Sequence, residues 1–63
     1  MIFTLGTIIR SGEHYYQLKE RLHKRLFLAE ELEYIENDED FIHTGREKFF
    51  TAWELERFAE IVR

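Results

Sequence analysis

Ser11 stands three residues before His14, and Asp38, Glu39 and Asp40 crowd against His43. A serine beside a histidine is the nucleophile–base pair of acyl transfer, but that chemistry also needs an orienting acid and an oxyanion hole. Neither can be read from these residues, and a serine followed by Gly12 suits a turn or a helix cap. The acidic cluster with His43 has the right atoms for a metal but lacks the ordered spacing of the zinc and calcium motifs. The three glycines are isolated, so no loop is built to cradle phosphates. The sequence points to no enzyme, no metal and no cofactor.

What it offers instead is charge. The stretch EELEYIENDED holds Glu30, Glu31, Glu33, Glu36, Asp38, Glu39 and Asp40 and no base. Outside it, nine Lys and Arg face six Asp and Glu, so the run alone makes the chain acidic, with a net charge of −4. Just upstream lie Lys19, Arg21, Lys24 and Arg25. Closely spaced carboxylates imitate phosphates and compete for the Lys and Arg surfaces that bind nucleic acid, where affinity is largely electrostatic. Glu30, Glu33, Glu36, Asp38, Glu39 and Asp40 are therefore expected to meet a basic protein partner, with Tyr34 as the apolar anchor. In style the chain resembles phage-encoded inhibitors of DNA-binding machinery, which are short, acidic and free of cysteine; no motif ties it to a family. The alternative is a nucleic-acid-binding regulator using Lys24, Arg25 and Arg46, which a sequence pI near 5.3 disfavours.

The elements that would position these groups follow from periodicity. Residues 2–9 read as a strand with a weak point at Gly6. Ser11–Gly12 is either a hairpin turn leading to a strand through HYYQL or the cap of a helix. Tyr15, Leu18, Leu22, Leu26, Ala29 and Leu32 share one helical stripe, which favours a long amphipathic helix from 12–15 to 36. Tyr16, His23, Phe27 and Tyr34 form a second apolar face on it. Thr44–Gly45 predicts a β-hairpin over 40–50, and Thr51 with Glu54 forms a capping box opening a helix to about Val62. The expected fold is α+β, a single small domain over residues 1–63.

A chain of 63 residues buries little surface and usually needs a staple. Without cysteine, disulfides are excluded, which leaves a second subunit. The expected homodimer packs two long helices antiparallel, basic half against acidic half, through Tyr16, Arg21, His23, Lys24, Phe27 and Glu31. No apolar run is long enough to span a membrane, and MIFTLGTII lacks the basic start of a signal peptide. A cytoplasmic protein that does not engage membranes is expected.

Overall fold

In the computed structural model, residues 3–63 are described, and the long helix is absent. Of the described residues, 64% are strand and 11% helix. β1 (Ile8–Ser11), β2 (His14–His23), β3 (Leu26–Ile35) and β4 (Asp40–Thr51) form an antiparallel meander. A seven-residue helix, α1 (Ala52–Phe58), then returns the chain to β5 (Ala59–Ile61), which pairs with β1. The order across the sheet is β4-β3-β2-β1-β5. The α+β reading is thereby corrected to a mostly antiparallel β fold.

The supposed long helix is the β2–β3 hairpin. Its residues, rich in Lys, Glu, Arg and Leu, are good helix formers, yet they are laid out at a period of two. Tyr16 and Leu18 on β2, Phe27 and Ala29 on β3, and Phe50 on β4 all enter the core. Phe3, Ile9 and Leu55 complete it, and Ile9, Leu18 and Leu55 are almost wholly enclosed. β3 is also covered on its other face, where Leu32 is 4% exposed. A strand buried on both faces has the near-continuous apolar run LFLA, which a helical stripe fits equally well. The bend at Lys24–Arg25 carries none of the usual turn residues to break that stripe. Register shifts at Leu18/Glu20 and Arg21/His23 further disturb the alternation along β2.

Other boundaries move for equally local reasons. The first strand is Ile8–Ser11, not 2–9, and Ile2 lies outside the described residues. Residues ahead of it run beside β2, with the Gly6 amide donating to the Leu18 carbonyl at 2.8 Å. The Ser11–Gly12 alternative is the one adopted: Ser11 pairs with His14 across a turn in which Gly12 has φ +66°. No hairpin turns at Thr44–Gly45. Gly45 does take positive φ, at +85°, but as a bulge in one continuous strand, at the register shift opposite Glu30 and Leu32. The capping box is present, the Thr51 hydroxyl accepting from the Glu54 amide while Glu54 accepts from the Thr51 amide. Its helix ends at Phe58, because the residues expected to extend it pair with β1, Ile61 opposite Ile9. Among the described residues no helix is long and apolar enough to cross a membrane.

The helical stripe would treat Leu18 and Leu22 alike, whereas the sheet encloses Leu18 and leaves Leu22 44% exposed. Leu18→Ala is expected to cost about 2–5 kcal/mol, most of the stability of a domain this size, and Leu22→Ala less than about 1 kcal/mol. Urea denaturation followed by circular dichroism checks both; equal losses would contradict the sheet.

Candidate functional site: the β3–β4 ribbon

The ladder between β2 and β3 stops at the pair Tyr15–Leu32, while the β3–β4 ladder continues to Ile35–Asp40. Beyond Leu32 the β3–β4 hairpin is therefore a two-stranded ribbon, closed by residues 36–39. Within that turn the Asp38 amide donates to the Ile35 carbonyl and the Glu39 amide to the Glu36 carbonyl, each at 3.3 Å. Glu39 takes a left-handed φ of 51°, tolerated in a tight turn at some cost for a residue with a Cβ.

This geometry splits the acidic run. Glu30 and Glu31 fall where β3 has neighbours on both sides. Glu30 is buried at 7% exposure and receives the Lys19 ammonium at 2.8 Å, with His43 Nδ1 at 3.2 Å from its other oxygen and the Gly45 amide at 3.4 Å. The Lys19 hydrogen bond holds the Glu30 carboxyl below the ordinary carboxylate range, against the opposing effect of desolvation, with His43 assisting. The same bond raises the Lys19 pKa. Glu31 faces the opposite side of the sheet, where Arg46 grips it through Nε at 2.7 Å and through a terminal guanidinium nitrogen. His14 Nδ1 lies 3.7 Å from its other oxygen, and its backbone carbonyl accepts the Thr44 hydroxyl. Burial, then the Glu31 charge, raises the pKa of Tyr16.

The rest of the run is different. Glu33, Glu36, Asp38 and Glu39 are exposed, and their carboxylates make no ion pair among the described residues. Asp40 meets Arg63 loosely at 3.8 Å. Next to the turn, Tyr34 and Phe41 form with Tyr15 a triangle of rings with centroids 5.1–6.0 Å apart. The Arg63 guanidinium lies 5.1 Å over Phe41 and donates to the Glu39 carbonyl at 3.1 Å, tying the chain's last residue to the turn. A cleft of about 460 Å³ opens beside the ribbon, lined by residues that include Glu13, His14, Glu31, Glu33 and Arg46.

Of the expected partner-binding residues, Glu33, Tyr34, Glu36, Asp38, Glu39 and Asp40 thus share the ribbon, and Glu30 lies inside the sheet. The expected dimer face fares differently. Tyr16 and Phe27 are core residues, Arg21 stacks over Phe27 at 5.7 Å, and Glu31 is held by Arg46. Only His23 and Lys24 of that set are exposed without a partner side chain among the described residues, at the β2–β3 turn, and the helical surface that would carry them does not exist. Lys24, Arg25 and Arg46 do not converge: the first two sit at the β2–β3 turn, and Arg46 is bound within β4. His43 turns to Glu30, away from the acidic turn, and no three His, Asp or Glu side chains converge as metal ligands among the described residues. The Lys19–Glu30 and Arg46–Glu31 pairs had no signal in the sequence, because they depend on strand register. No protein-family model, curated protein or solved structure matches the chain.

A carboxyl whose pKa is lowered on folding contributes stability above its ordinary value, lost as pH falls through the folded one. Wild type is therefore expected to lose more stability than Glu30→Gln between neutral pH and pH ~3, the acid side of the carboxylate range. Urea midpoints across that range check this; parallel curves would show that Glu30 carries no such linkage. At alkaline pH the raised Lys19 and Tyr16 work the other way, stability falling once pH passes their ordinary values.

Proposed function

We propose that the chain is a non-enzymatic binding module that engages a basic protein surface through the tip of the β3–β4 ribbon. Its partner is then a protein that uses Lys and Arg to hold nucleic acid, and the effect of binding is to inhibit or regulate it. The division of the acidic run carries this reading. Glu30 and Glu31 are paired inside the sheet, and Glu33, Glu36, Asp38 and Glu39 have no ion pair among the described residues. Four unpaired like charges on one ribbon repel each other and weaken the hairpin, a cost that a positive partner removes. Tyr34 and Phe41 stand beside the tip as apolar anchors of the kind that dominate binding energy, with Tyr34 39% exposed. Carboxylates on such a tip compete with phosphates for the same cations, so binding is expected to weaken with salt.

The test is retention of purified nucleic-acid-binding proteins on the immobilised chain. Wild type is expected to retain basic members of such a panel, to release them to duplex DNA, and to lose them on Glu33→Lys/Glu36→Lys. Retention that survives charge reversal and ignores DNA would overturn the acidic tip as the binding surface.

A further inference from the structure

β4 is an edge of the sheet, hydrogen-bonded among the described strands to β3 alone. Alternate residues over Asp40–Thr51 therefore leave backbone N–H and C=O groups unpaired on the outer side, a template for another strand. The strand has no proline to blunt it, and it exposes Ile42 (49%) and Phe49 (60%). Its central cations are drawn onto the sheet rather than set across the edge: Arg46 bonds Glu31, and Lys48 lies over the Tyr16 and Phe50 rings at 5.7 and 5.0 Å. Midway sits Gly45, where a Cβ would meet no atom within 4 Å, so another backbone can approach closely.

Charge says what approaches. The two hairpin turns that bracket β3 lie at opposite ends of that strand. One end carries the acidic turn, Glu36 to Asp40. The other carries Lys24 and Arg25, held beside the end of β4 by the Ala52 amide, which donates to the Arg25 carbonyl at 2.8 Å. β4 thus runs from an acidic end to a basic one. A second copy laid antiparallel along it sets each acidic turn beside the other copy's basic turn; a parallel copy sets like against like.

We propose that β4 pairs antiparallel with β4 of a second copy about a two-fold axis at Gly45. In that register Phe41 faces Phe49 and His43 faces Glu47 of the other copy, on both sides of the axis. The backbone edge supplies the ladder, the exposed Phe49 against the half-buried Phe41 supplies apolar contact, and the turns supply orientation. Because the acidic turn takes part, self-pairing masks the surface assigned to a basic partner, and the two compete. The pairing itself rests on β4 and the charge polarity and does not require that partner.

A charge-swap experiment tests this. Glu36→Lys/Asp38→Lys/Glu39→Lys leaves Asp40 as the one acid of that turn against three lysines and makes both ends basic, and Lys24→Glu/Arg25→Glu makes both acidic, all at exposed positions whose folding circular dichroism verifies. Sedimentation of wild type at low salt is expected to give twice the 7.8 kDa of one chain, shifting to single chains as salt rises. Each variant alone is expected to sediment as one chain, and their mixture as a heterodimer. A second arm, Phe49→Lys, is expected to abolish the dimer in wild type and in the mixture. A wild type that stays a single chain, a mixture that does not associate, or a dimer indifferent to Phe49→Lys would overturn the pairing. Lys24→Glu/Arg25→Glu keeps the acidic tip, so its retention of basic proteins reports on the partner reading separately.

Discussion

β3 has ten residues, and how far its neighbours accompany it decides what each of them can do. From Leu26 to Leu32 it is hydrogen-bonded on both sides, to β2 and to β4, and there its side chains are buried or paired. Past Leu32 it has β4 alone. Backbone groups in a sheet interior must all be satisfied, so the β2 ladder fixes register, and register fixes which faces are enclosed. Phe27 and Ala29 go to the core; Glu30 and Leu32 go to the other face. Everything beyond is free of that demand and free to carry charge.

The same constraint explains why so acidic a stretch folds at all. Glu30 and Glu31 point to opposite faces, and each finds its cation across the strands: Lys19 from β2 for one, Arg46 from β4 for the other. A carboxylate enclosed in the sheet without such a partner would destabilise the fold. The bulge at Gly45 serves this pairing, since it brings the Gly45 amide to Glu30 and lets Thr44 and Arg46 turn to Glu31. Local geometry in β4 is therefore tied to charges in β3, and the tip inherits what the sheet does not neutralise.

Much of this was legible in the sequence at the level of residue types, and less at the level of elements. Thr51 and Glu54 marked the start of α1 because a capping box is local, and Ser11–Gly12 was recognisable as a possible turn for the same reason. Leu18 and Ala29 read as apolar, but on a helical stripe that also takes in Tyr15 and Leu22, which the sheet places outside the core, while Phe27 reads as part of a second face. The error has a physical source. Lys, Glu, Arg and Leu prefer helix, and the hairpin they form here is held by pairing between residues distant in sequence, which no local window contains. Glu33, Glu36, Asp38 and Glu39 could be nominated as a charged surface from sequence, because the tip is a contiguous segment. That Glu30 was not part of it could not, because only register sets it beside Lys19 and His43.

The separation of structural from exposed carboxylates is the claim on which the functional account depends. Its most direct measurement is to neutralise the seven acids of the run one at a time, Glu to Gln and Asp to Asn, recording unfolding free energy and retention of a basic partner for each. Losses of stability should fall on Glu30 and Glu31 and leave binding intact, while losses of binding should fall on Glu33, Glu36, Asp38 and Glu39 with the fold unharmed. If both quantities decline together across all seven positions, the acids form one undivided surface and the account is wrong.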